Sequence, residues 1–169
     1  HMSDERPTVR PVTLSRMAEL THACEAVSRS TEDLEDGLDV SHRRARETIL
    51  EAKRISLLEE DDSGEEPVYT TTDVGLSFLS AIRDEDWHQV SKILETRSPH
   101  YGTFIEVLGN RENAGLDTLL AQLEDAQEFS PYSYNQTSVE VLGDWAERLG
   151  RVQRNAFTGD YYLTDQAAI

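Results

Sequence analysis

Apolar positions along the chain fall into helical stretches separated by short polar segments. From Pro11 to Val27, residues Leu14, Met17, Ala18, Leu20, Ala23, Cys24 and Val27 recur at spacings of three and four, the signature of an amphipathic helix. A short helix is predicted from about Thr31 to Leu38. Ser30 caps it, Glu32 and Asp33 suit its dipole, and Gly37 lies near its end, where a residue without Cβ turns cheaply. Ser41 is placed to cap the next helix, from about His42 to Leu57; Glu47 stands too far along to complete a capping box with it. In that helix Ala45, Thr48, Ile49 and Ala52 share one side. Arg43, Glu47, Leu50 and Arg54 lie opposite, with His42, Arg46 and Lys53 on the flank.

Leu57 to Thr72 breaks the helical period. Asp62, Ser63 and Gly64 are turn formers, while Val68, Tyr69 and three threonines favour strand, so a β-hairpin is predicted. Asp73 is expected to cap a helix running to about Arg83, and a further helix spans Asp86 to Arg97, stopped by Ser98 and Pro99. The second half has the same order of parts: helices over Tyr101–Leu108 (with Gly109 and Asn110 as its C-terminal cap), Leu116–Leu123 and Ser138–Leu149. Short strands at 151–154 and 160–163 then flank Ala156, Phe157, Thr158 and Gly159. Each hairpin returns through Tyr-x-x-Thr-Asp, first as Tyr69, Thr72, Asp73 and then as Tyr161, Thr164, Asp165. The repeat implies two modules, 11–84 and 85–169, in a mainly α fold with small β-hairpin wings, an α+β class.

Charge changes this picture more than length does. The chain of 169 residues carries 33 Asp plus Glu against 16 Lys plus Arg, a formal net charge of −17. Lys53 and Lys92 are its only lysines. Dense carboxylates with scarce lysine resemble cytosolic proteins of salt-accumulating organisms such as halophilic archaea, where high salt screens the self-repulsion. The same charge opposes DNA at low salt without excluding a locally basic face. Cys24 is the only cysteine, so one chain builds neither a disulfide nor a thiolate metal site; a small buried apolar role is expected. No apolar run approaches the roughly 20 residues that span a bilayer, and no signal-peptide pattern opens the chain, so a cytoplasmic protein is expected. His1 and Met2 read as a cloning scar, and Ser3 to Arg10 as a polar, poorly ordered lead-in.

The sign of charge reverses locally at Ser41, His42, Arg43, Arg44 and Arg46. A helix start bearing these groups suits a DNA major groove: Arg bridges two acceptors of guanine, and Ser caps the helix or binds phosphate. The segment Leu14 to Gly75 resembles the winged helix-turn-helix superfamily, particularly prokaryotic and archaeal regulators whose wing returns through a Tyr-x-x-Thr-x-x-Gly-like motif, here Tyr69, Thr72 and Gly75. The resemblance implies two tandem winged-helix modules and a sequence-specific transcriptional regulator. The first module would read double-stranded DNA through a recognition helix from about 41 to 57, with Ser41, His42, Arg43, Arg44, Arg46, Lys53 and Arg54 in contact. The second would serve structure, dimerisation or partner binding.

Two features point elsewhere. Glu47 and Glu51 stand at helical spacing from the arginines and can neutralise them. The wing carries Glu59, Glu60, Asp61, Asp62, Glu65 and Glu66, where DNA-binding relatives carry cations. The alternatives are therefore a protein-interaction subunit of a larger defence or replication complex, or an acidic DNA mimic. Leu50 on the outer helix face and the aromatic loop Phe129, Tyr132, Tyr134 are the candidate contacts to a protein partner or a second copy. No catalytic role, cofactor or metal is expected: the five histidines are scattered, and no Gly-rich phosphate loop or G-x-S-x-G occurs.

Overall fold

In a computed structural model of the protein, which describes residues 8, 12–126 and 133–164, α1 (Leu14–Ala23) begins where the Thr13 side chain accepts from the Arg16 N–H. It is shorter than the apolar spacing predicts, because the chain turns at Cys24 and leaves Val27 50% exposed. Strand β1 (Arg29–Ser30) follows, and Ser30 then caps α2 (Thr31–Leu38) in a reciprocal capping box with Asp33. Gly37 stays inside α2. The left-handed residue that ends the helix is Asp39, at φ 53°, a residue type whose short polar side chain tolerates that conformation. Ser41 caps α3 (His42–Arg54), accepting from the Arg44 N–H. This helix closes three residues earlier than predicted, since Ser56 turns left-handed at φ 69° and releases the chain into the hairpin.

Strands β2 (Leu58–Asp61) and β3 (Val68–Thr71) pair antiparallel with Glu60 opposite Tyr69, and β1 joins the other edge of β3 with Arg29 opposite Tyr69, giving the order β1-β3-β2. The order is helix, strand, helix, helix and a two-stranded hairpin wing. Thr72, not Asp73, is the cap of α4 (Asp73–Arg83), accepting from the Gly75 N–H. Helix α5 (Trp87–Arg97) packs against α4, so residues 12–97 form one compact unit and the boundary lies beyond the predicted 84/85. The core of this unit includes Met17, Leu20, Cys24, Leu34, Ala52, Ile55, Leu57, Phe78 and Leu94. Burial pushes the Cys24 thiol up to about 11, as expected of an inert apolar cysteine.

Residues 98–126 and 133–164, with Thr8 bridged to Ser133, form the other unit. Ser98 and Pro99 stop one helix by starting the next: Ser98 caps α6 (Pro99–Gly109), with proline in the first turn, where its missing N–H is harmless. Asn110 caps the C-terminus of α6 at φ −95°, as expected of the Gly109–Asn110 pair. Helices α7 (Leu116–Ala126) and α8 (Gln136–Arg148), the latter capped by Asn135, and strands β4 (Val152–Arg154) and β5 (Tyr161–Leu163) complete it. Ala114 bridges Tyr161 antiparallel, in the role β1 plays against Tyr69. The second unit therefore repeats the order of parts of the first, and the mainly α fold with small antiparallel sheets, an α+β class, stands.

Candidate nucleic-acid interface

Helix α3 turns Ala45, Thr48, Ile49, Glu51 and Ala52 inward against α1 and α2, which forces His42, Arg43, Arg44, Arg46 and Leu50 outward. The basic residues among the predicted contacts separate into three groups. His42 Nδ1 lies 3.0 Å from Glu35 Oε2 of α2, and Arg43 Nε donates to Glu47 Oε1 at 3.1 Å; both pairs are on the surface. Such exposed pairs contribute about 0.2–1 kcal/mol, so an incoming phosphate can displace the carboxylate. Arg44 and Arg46 are exposed and make no ion pair among the described residues, although the Arg46 charge also helps lower the Glu60 carboxyl. Ser41 spends its hydroxyl on the cap and so orients the helix start.

The C-terminal cations are differently engaged. Lys53 Nζ donates to Glu60 Oε1 on the wing at 3.1 Å, holding the Glu60 carboxyl below its usual range. Arg54 is drawn inward, 16% exposed, and pairs with Glu51, only 5% exposed. Desolvation raises the Glu51 carboxyl while the Arg54 charge lowers it, burial being the larger effect. Leu50 is 52% exposed on the outer face of α3. Glu59, Glu60, Asp61, Asp62, Glu65 and Glu66 are all exposed, and Asp61 Oδ1 accepts from both the N–H and hydroxyl of Ser63, which lowers its carboxyl and tightens the wing turn. Wing and helix thus present opposite signs of charge.

In the second unit the equivalent of α3 is α8, whose exposed residues include Glu140, Asp144 and Glu147. Tyr134 is buried, its hydroxyl 2.6 Å from His100 Nδ1. Phe129 and Tyr132 lie outside the described residues. A feature to which the sequence pattern gave no weight is Phe157, 99% exposed at the tip of the β4–β5 hairpin. An open cleft of about 600 Å³ beside that hairpin is lined by Arg111 and Arg154 but equally by Asp117 and Asp160, leaving it without net charge. Among the described residues no cluster of three or more His, Cys, Asp or Glu is set to hold a metal ion, and no helix is long and apolar enough to cross a membrane.

No family model and no curated protein matches the chain. Among solved structures it is similar to that of the restriction endonuclease FokI, at 13% identity and a TM-score of 0.48, over 74% of this chain. The chain spans 29% of the length of that protein. A likeness of this size decides neither fold nor function.

Proposed function

We propose that the protein is a sequence-specific double-stranded DNA-binding regulator of transcription, a member of the winged-helix superfamily in which α3 enters the major groove. It acts by binding alone, without catalysis or a cofactor. The observation that carries this reading is the pair Arg44 and Arg46, exposed at the capped start of α3 and free of ion pairs among the described residues of a chain with net charge −17. A guanidinium outside any ion pair, even with the Arg46 charge reaching the Glu60 carboxylate, suits an anionic partner in such a chain. Arg43 and His42 join by exchanging their surface carboxylates for phosphates.

Fluorescence anisotropy with genomic DNA fragments at high salt tests the assignment. The Arg44→Ala plus Arg46→Ala variant should bind at least tenfold more weakly and show a shallower salt dependence, since two phosphate or base contacts are removed. Equal binding by wild type and double variant would sink it.

A second reading is favoured by Leu50 and the acidic wing: an adaptor that docks a protein partner through α3. A stoichiometric partner retained from lysate at high salt, lost in Leu50→Glu and recovered without DNA, would support the adaptor over the regulator.

A further inference from the structure

We infer that Phe157, at the tip of the second hairpin, is a base-stacking residue that holds nucleic acid independently of α3. Phe157 is an aromatic ring left 99% in water, and the loop that carries it is fixed. Asn155 Oδ1 accepts from the N–H of Phe157 at 2.8 Å and of Thr158 at 3.0 Å, and the Gly159 N–H returns to the Asn155 carbonyl at 2.8 Å. The Asn155 N–H donates to the Asp160 carbonyl, closing the hairpin from its other side. A solvated aromatic on a fixed loop apex gains by stacking on a planar partner, with the backbone already ordered.

Charge identifies that partner. Residues 147–160 carry Arg148, Arg151 and Arg154 against Glu147 and Asp160, a small positive excess in a chain of net charge −17. Arg154 donates Nε–H to the Gly159 carbonyl at 3.0 Å and rests over the Tyr161 ring, 4.9 Å from its centre, so its charge is held on the hairpin beside Phe157. An exposed ring next to a fixed guanidinium matches a base and its phosphate. Stacking also suits this chain physically: counterion release favours basic proteins, whereas base–aromatic stacking persists in the salt that screens a charge of −17. The α8 carboxylates Glu140, Asp144 and Glu147 disfavour an α3-like groove contact in this unit, leaving the hairpin tip as its nucleic-acid contact. The ring either platforms an unpaired base or wedges between stacked pairs, the shared chemistry being a base face and one phosphate.

The test uses the full chain at high salt with three 2-aminopurine probes: a single strand, a duplex with the probe base unpaired, and an intact duplex. Wild type should quench the fluorescence of at least one probe. Phe157→Ala should bind that probe about tenfold more weakly and abolish the quench, and Phe157→Tyr should restore both. Quenching of the unpaired base identifies a platform; quenching within the intact duplex identifies a wedge. At saturating protein the Arg44→Ala plus Arg46→Ala variant, though weaker on duplex, should still give the full quench amplitude, which Phe157→Ala should not; this separates the site from α3. Unaltered affinity and quench in Phe157→Ala, or binding of none of the probes, overturns the inference. Loss of self-association in Phe157→Ala, with nucleic-acid binding unchanged, overturns it in favour of a protein contact.

Discussion

Thr72 donates its hydroxyl hydrogen to the Ser56 carbonyl, tying the first residue before α4 to the turn that ends α3. Its N–H reaches the Leu57 carbonyl, and its Oγ1 also accepts from the Gly75 N–H. Thr164 makes the matching bonds in the second unit, to the carbonyls of Gly150 at 2.7 Å and Arg151 at 3.0 Å. Ser56 and Gly150 both stand left-handed, at φ 69° and 71°. Thr72→Ala should therefore lower stability by about 2 kcal/mol, a cap and a hydrogen bond being lost together. Gly150→Ser should cost about 1 kcal/mol through left-handed strain. Ser56→Gly relieves that strain against added chain entropy and should be neutral or stabilising by up to about 1 kcal/mol. Thermal unfolding of the three variants checks the set; a loss in Ser56→Gly would refute it.

Tyr161 gives a second asymmetry within the repeat. Its hydroxyl is buried with no hydrogen-bond partner among the described residues, whereas Tyr69 interacts with Glu60. Burial pushes the Tyr161 phenol upward. Gly143 makes room for the ring: a Cβ there would sit 2.6 Å from the phenol oxygen. Removing an unpaired buried hydroxyl relieves its desolvation, so Tyr161→Phe should raise stability by about 1 kcal/mol, while Gly143→Ala should lower it. Denaturant midpoints at constant m decide both.

The repeat was legible because its markers carry backbone duties: Tyr69 and Tyr161 take the same place in their sheets, and Thr72 and Thr164 close the same turn. Gly75 of the Tyr-x-x-Thr-x-x-Gly motif is equally physical, since a Cβ there would lie 2.3 Å from the Leu57 carbonyl oxygen. β1 escaped notice because two residues have no period to read, and Ala114 contributes a single bridge. Helical spacing exposed the Arg43–Glu47 pair, but not which other cations are engaged. His42 is met by Glu35 from another helix and Lys53 by Glu60 from the wing, both of which depend on tertiary placement.

Glu51 and Arg54 tie acidity to stability. The Glu51 carboxyl is raised, so between its unfolded and folded values the folded state holds the proton more tightly. Stability contributed by this group consequently falls as pH rises through that window. Arg54→Met strips the buried carboxylate of its cation and should cost about 3 kcal/mol at neutral pH, with most of the loss recovered in acid as Glu51 protonates. Glu51→Gln should flatten the wild-type pH dependence above the ordinary glutamate range. Urea melts across pH, with an Arg54→Met deficit that does not shrink in acid, would contradict the pairing.

The acidic wing supplies the sharpest test of how α3 meets DNA. If α3 lies in a major groove, the wing stands near the phosphate backbone, and Asp62, Glu65 and Glu66 at its exposed tip repel it. Glu60 is left untouched because Lys53 holds it and both help fix the wing to α3. Reversing the three tip charges to lysine should therefore strengthen DNA binding at least tenfold at moderate salt and steepen its salt dependence, as new counterions are released. The gain should fade in high salt, where the repulsion is already screened. The same triple variant should leave an adaptor's protein partner bound less tightly if that partner is basic, because the complementary charge is removed. Titrations of DNA against salt with wild type and variant thus assign the wing: stronger binding places it against phosphate, and unchanged binding places it away from the duplex.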